Sequence, residues 1–153
     1  MLPITGRGHR KFMNTLPFDE GMEKLEAEVT GLLISRGFAE PKLSYCMYES
    51  TGWSEEKMEI GKSYPADHPI FDSSKVVMTY PDLSARFAEG QVRFVSHGWA
   101  GETVYTNPTC TDLIVEAEKC IRDLGEIDHI FLEECVRIRS HKGVQRYSMF
   151  FGS

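Results

Sequence analysis

Two adjacent glutamates in the segment "FLEEC", Glu133 and Glu134, are the residues of this chain best suited to acid–base or cation-binding chemistry. If residues 130–138 form a strand, side chains alternate between its faces, so Glu133 shares a face with Cys135 and lies opposite to Glu134. A carboxyl group buried among aromatic side chains has a raised pKa, and it can pair with a cation or act as a general acid or base. We therefore take Glu133 as the candidate catalytic acid, and a register slip of one residue would exchange it for Glu134.

Each reactive side chain near this segment could also have an ordinary structural role. Glu133 could be a solvated carboxylate paired with Arg137 or Arg139. Cys135 is a candidate for ligand contact, and as a nucleophile it would need a base, for which Glu133 is the nearest group. His97 stands at a strand end, where a hydrogen bond that holds the His-Gly turn fits better than catalysis.

Five aromatic residues are candidates for the same site. Trp53 and Trp99 each follow a glycine, in "TGWS" and "HGWA", and exposed aromatics in such turns often line ligand surfaces. Tyr45 is the candidate for a second polar group that would orient a substrate beside the acid. Tyr105 and Tyr147 fit either a pocket wall or ordinary packing.

Two amphipathic helices, over residues 19–36 and 108–124, are predicted to position these side chains. Apolar residues recur in both segments at three- and four-residue spacing. Each segment has a capping signal at its start and a glycine at its end: Asp19 and Gly37 in the first, Asn107 followed by Pro108 and Gly125 in the second.

Strands are predicted at 11–15, 43–49, 57–64, 75–80, 91–97, 130–138 and 144–151. A displacement of about 88 residues aligns the two halves, with Leu25 on Leu113 and Tyr45 on Glu133. We therefore predict one domain over 1–153, with a first half of about 1–64, a connector over 65–90 and a second half over 91–153. The expected fold class is α+β: two pseudo-symmetric β-α-β-β units forming one antiparallel sheet, with two helices on one face and a central cleft.

Composition restricts the class of protein. At 41% hydrophobic and 26% charged the chain can bury a core, and it has neither an apolar run that predicts a membrane span nor a leader pattern. A net charge of -6 without a long basic block argues against nucleic-acid binding. Gly6 and Gly8 fit a loop. The four cysteines are widely spaced: Cys46, Cys110, Cys120 and Cys135. This spacing predicts reduced thiols in a cytoplasmic protein and no metal site.

Three stretches resemble the GyrI-like, or effector-binding, domain superfamily, which includes the SOUL haem-binding relatives. They are "FDEGMEKLEAEVTGLLISRGFAEPKLSYCMYES", "EGQVRFVSHGWAGETVY" and "LIVEAEKCIRDLGEIDHIFLEECVRI" closed by "QRYSMFFG". The resemblance implies a pseudo-twofold sheet and a central pocket for small, often cationic or aromatic, molecules. It also implies a pocket glutamate on the penultimate strand, which falls on Glu133. Members often have an aromatic two residues later, where this chain has Cys135.

The leading functional hypothesis is a cytoplasmic, standalone small-molecule-binding protein whose acid and aromatics favour cationic or amphipathic aromatic ligands. The alternative is a hydrolase on the same scaffold that opens strained cyclopropane-type natural products with Glu133 as acid or base. A second alternative, which the acidic charge and the turn tryptophans allow, is a protein-interaction or inhibitor module. The expected partner is a small-molecule ligand, with no nucleic acid, no membrane and a protein partner left open. No cofactor is expected, since nothing selects His68 or His129 as a haem ligand.

Overall fold

The computed structural model describes residues 13–153, which form a mixed α+β fold. The predicted loop around Gly6 and Gly8 and the start of the predicted strand 11–15 lie outside these residues. Within them, no helix combines the length and apolarity needed to cross a bilayer. The elements in chain order are β1 (Met13–Pro17), α1 (Phe18–Ser35), β2 (Ser44–Tyr45), β3 (Glu49–Thr51), α2 (Ser54–Lys57), β4 (Val77–Pro81), β5 (Gln91–Ser96), β6 (Trp99–Ala100), β7 (Tyr105–Thr106), α3 (Cys110–Leu124), β8 (Phe131–His141) and β9 (Val144–Gly152).

The two long helices are confirmed close to their predicted bounds, but their N-termini differ. Asp19 lies inside the first turn of α1 and makes no capping hydrogen bond. The α3 helix begins later than predicted, because Thr109 and Asp112 form a reciprocal capping box. Asn107 instead accepts a hydrogen bond from the Gly90 N–H at 2.7 Å. Glycines end both helices as predicted.

The strands form two sheets rather than the predicted single one. A three-stranded antiparallel sheet has the order β1-β4-β3, and a larger sheet has the order β2-β8-β9-β5-β6, with β7 also paired to β5. Most pairings are antiparallel, but β2 runs parallel to β8, and β5 runs parallel to β9. The connector strand β4 separates β1 from β3, and this central place was not predicted.

The predicted strand at 57–64 is wrong. Residues Ser54–Lys57 form one helical turn, and the chain then turns again at Gly61, whose φ is +83°. Ile60 is fully exposed, and Met58 is 41% exposed. Alternating apolar residues form a stable strand only where a neighbouring strand and a core receive them, and no strand within residues 13–153 pairs with this segment.

One apolar core packs both long helices against the sheet strands. It combines Leu25, Val29 and Leu33 of α1 and Leu113, Ile114 and Ile121 of α3 with Phe94, Leu132, Tyr147 and Met149 of the sheet. We call the side of the larger sheet that carries these buried side chains the core face, and its other side the open face.

Candidate functional site

A β-bulge in β8 decides which of its side chains reach the open face. Leu132 pairs with Phe151 and Glu134 with Phe150, so Glu133 is the extra, unpaired residue. The bulge reverses the alternation, and Cys135 therefore shares the core face with Leu132, both fully buried. The predicted grouping of Glu133 with Cys135 on the uncovered face is wrong for this reason.

Two cavities of about 740 and 460 Å³ border the open face of β5, β9 and β8, and we call them together the open-face groove. The larger one also reaches past the end of β5 to α3, where Cys120 and Ile121 line it. Both cavities are lined by Val95 and Arg146, which makes them neighbours on the sheet. The strand register places Arg93, Arg146 and Ile138 in one cross-strand row and Val95, Ser148 and Val136 in the next. The floor of the groove is therefore the middle of a sheet, which is a rigid support for a binding site.

The walls of the larger cavity come from the C-terminal ends of α3 and β9 and from the turn after β5. Gly98, with a φ of +75°, makes the tight turn between β5 and β6. Trp99 then donates its indole N–H to the Asp123 carboxylate at 2.9 Å, which ties this turn to the end of α3. Leu124 and Phe150 add apolar wall and are 45% and 50% exposed.

The lining of the groove is basic, although the chain as a whole is acidic. It contains Arg93, Arg146 and Lys142 but only one acid, Glu126. Three of the five histidines of the chain also line it: His97, His129 and His141. Glu126 is itself within 3.5 Å of the His129 imidazole. The groove thus combines cationic and hydrogen-bond-donating groups with a mostly apolar lining.

Glu133 lies away from this groove. Its side chain is exposed and lines neither cavity. Its carboxylate lies over Gly152, whose missing Cβ leaves room for it. The pKa of the neighbouring Cys46 thiol is raised mainly by burial of that thiol, and the charge of Glu133 raises it further. The expected position of Glu133 at the base of a hydrophobic cleft is therefore not found.

Tyr45 and Cys135 are core residues. Tyr45 is 5% exposed, and its hydroxyl has no hydrogen-bond partner among the described residues. Burial raises the pKa values of both groups, and the nearby Cys110 raises them further. A thiol with a raised pKa is a poor nucleophile at neutral pH. The structure therefore does not bring Tyr45 and Glu133 together around one cavity.

The other four predicted aromatics are held by contacts outside the cavities. Trp53 packs edge-on against Phe18 with ring centroids 5.0 Å apart, and its N–H donates to Ser50 at 2.6 Å. Tyr105 donates a hydrogen bond to the buried Glu116 carboxylate at 2.8 Å. Burial raises the pKa of Tyr105 most, and the hydrogen bond to Glu116 raises it further. Tyr147 lies in the core, and Trp99 supports the groove from behind without lining it.

The two basic residues at the centre of the groove, Arg93 and Arg146, were not predicted from the sequence. A signal for them exists in "QVRFVS", where Arg93 stands between the inward Val92 and Phe94, and in "VQRYSMFF", where Arg146 precedes the inward Tyr147. Among the described residues no group of three His, Cys, Asp or Glu side chains could hold a metal ion.

Comparisons with known proteins identify no relative: no family model, no curated protein and no solved structure matches the chain.

Proposed function

We propose that this chain is a small-molecule-binding protein and that the open-face groove is its binding site. The observation that carries the proposal is the groove itself, since the larger cavity of about 740 Å³ lies within the roughly 300–1,000 Å³ typical of ligand sites. Its mostly apolar lining with a few charged groups is the usual composition of such sites. The four free cysteines support action in the reducing cytoplasm.

We also propose that the fold is a duplicated β-α-β-β unit of the GyrI-like kind. The order of elements supports this proposal, because β1, α1, β2 and β3 are followed by β5, α3, β8 and β9 in the same sequence of types. The two counterpart strands β2 and β8 pair with each other, with Ser44 opposite Phe131. The connector strand β4 and the short strands β6 and β7 are additions to the repeated pattern.

Two-dimensional NMR with a library of small aromatic and aliphatic fragments tests the proposed function. Bound fragments should shift the amide signals of Val95, His97 and Ser148. Phe150→Ala should weaken the best fragment about five- to tenfold, since the ring forms a wall of the groove and burying such a side chain contributes about 1.5–3 kcal/mol in full. Phe71→Ala is the matched control, because Phe71 is also exposed, at 39%, and lines neither cavity.

Other outcomes of the same screen would favour other functions. Shifts confined to the surroundings of Glu133, together with turnover that Glu133→Gln abolishes, would support the hydrolase and contradict the groove. No shifts with any fragment would leave a protein-interaction module as the better hypothesis. Equal losses of affinity in Phe150→Ala and Phe71→Ala would show that the fragments bind without using the groove.

A further inference from the structure

We propose that the ligand of the open-face groove is an amphipathic carboxylate, with its anionic group on Arg93 and Arg146 and its apolar body along Val95, Ile138 and Phe150. This inference rests on the proposed function, because it names the class of ligand for the same groove. The ligand would be anionic, whereas a site built around Glu133 would bind a cationic one. Four observations carry it.

The first observation is that two positive charges stand side by side without an opposite charge. Arg93 and Arg146 are directly opposite each other on the parallel strands β5 and β9. Neighbouring strands are about 4.8 Å apart, and like charges directly opposite in a sheet are destabilising. Within residues 13–153, no ion pair includes either arginine. An anion bound between them would remove this repulsion.

The second observation is that Arg93 is held in place and that both arginines are partly buried. One guanidinium nitrogen of Arg93 donates to the Gly101 carbonyl, which fixes the direction of the side chain. A guanidinium has five N–H donors, so most of those on Arg93 remain for a ligand. Both side chains are partly buried against the sheet. A fixed, partly desolvated guanidinium suits the bidentate geometry that a carboxylate offers.

The third observation is the apolar surface that continues from the arginines in one direction. Ile138 lies in the same cross-strand row as Arg146, and Val95 lies in the next row. Leu124 and Phe150 extend this surface to the end of α3. The polar end and the apolar end of the groove therefore match a ligand with one charged group and a hydrophobic body.

The fourth observation is the contrast between the groove and the rest of the molecule. The chain carries 23 acids against 17 bases, so its overall field repels anions. The groove reverses this balance locally, with three Lys or Arg residues against Glu126. A binding contribution from such a local charge pair falls as salt is added, because the Debye length is only about 10 Å at 0.1 M.

Three naphthalene probes of equal shape and different charge test the inference: 2-naphthoate, naphthalene-2-methanol and 2-naphthylmethylammonium. Titration calorimetry on the full chain at pH 7.5 should show that naphthoate binds about tenfold more tightly than the alcohol, as a charge-assisted hydrogen bond predicts. The ammonium should bind more weakly than the alcohol. Raising the salt concentration from 0.05 to 0.5 M should weaken the binding of naphthoate and leave the affinity for the alcohol unchanged.

The variant Arg146→Gln should lose most of the tenfold preference for naphthoate and keep the affinity for the alcohol. Arg139→Gln removes the same charge from an exposed position of β8 that lines neither cavity, and it should keep both affinities. Because the salt series uses the unaltered protein, the inference stays falsifiable even if Arg146→Gln does not fold.

The possible outcomes separate this inference from the proposed function. Equal binding of the three probes, or tightest binding of the ammonium, would overturn the anionic ligand while the groove remains a binding site. No binding of any probe would contradict both proposals. If the mass of the chain rises with concentration and the probes bind only after dissociation, a second copy occupies the open face and the inference is overturned.

Discussion

Deleting one glutamate at the bulge tests how β8 divides its side chains between the core face and the open face. Removal of Glu133 or of Glu134 produces the same chain, since the two residues are identical and adjacent. In the shortened strand Leu132 still pairs with Phe151, and the remaining glutamate pairs with Phe150. Each apolar residue keeps its face, so we expect a folded protein that loses about 1–2 kcal/mol, as for an ordinary mutation.

Deletion of Val136 is the matched control, and the same register predicts the opposite result. Glu134 would then move to the core position of Cys135, opposite Met149, while Cys135 would move to the open face. Leu132 could regain its own place by absorbing the bulge. The misplaced carboxylate would be buried without a partner, which costs at least about 4 kcal/mol. Since a domain of this size has a free energy of unfolding of about 5–15 kcal/mol, this variant should lose a large share of its stability, roughly two or more times the loss in the glutamate deletion.

Urea denaturation followed by circular dichroism and tryptophan fluorescence measures both variants. Titration with 2-naphthoate adds a functional readout, because the glutamate deletion leaves the groove lining unchanged and should retain the affinity. Similar losses of stability in the two variants would refute the assigned faces. A folded glutamate deletion that no longer binds the probe would return Glu133 to the ligand site.

Two further predictions concern buried polar groups. Glu118→Ala removes the carboxylate that accepts from the Lys42 and Leu43 N–H groups at 2.8 and 2.9 Å, and stranding both donors should cost about 2–5 kcal/mol in urea unfolding. Glu28→Ala, from an exposed ion pair, should cost under about 0.5 kcal/mol, and equal losses would contradict the anchor role. Burial raises the pKa of Cys110 to about 12 from 9.0, so above pH 9 the unfolded state loses a proton that the folded state keeps. Cys110 should therefore contribute a fall of up to roughly 1.4 kcal/mol per pH unit in the free energy of unfolding between pH 9 and 11. The fall should be less steep in Cys110→Ala, and an identical slope in both proteins would refute this prediction.

Local patterns were sufficient to predict the helices and the long hairpin. The three- and four-residue spacing in α1 and α3 and the glycines after them are signals within one segment, and both helices lie within two residues of their predicted bounds. The hairpin of β8 and β9 around Gly143 follows in the same way from alternation and a turn residue. Such features depend on neighbours along the chain, which a sequence displays directly.

The sheet order and the bulge depend instead on distant segments. Nothing local to 77–81 indicates that this strand lies between β1 and β3, because its two partners are over 25 and 60 residues away in the chain. The bulge at Glu133 shifts the alternation by one residue, and period-two counting assumes that no such shift occurs. Both wrong expectations for Glu133 and Cys135 follow from this one added residue.

The arginine pair shows why a ligand site can be absent from a local reading of the sequence. Arg93 and Arg146 each look like a solvated charge on the outer side of a strand, which is the ordinary place for arginine. The parallel pairing of β5 with β9 joins residues 53 positions apart and converts two ordinary charges into one doubly charged group. Phe94 and Tyr147 on the same two strands point into the core. The two arginines therefore point to the opposite face and into the groove that Val95 and Ile138 also line. The charge of the groove thus depends on which strands pair. The signal for it is the repulsion between two like charges in neighbouring strands. That repulsion can be recognised only once the pairing is known.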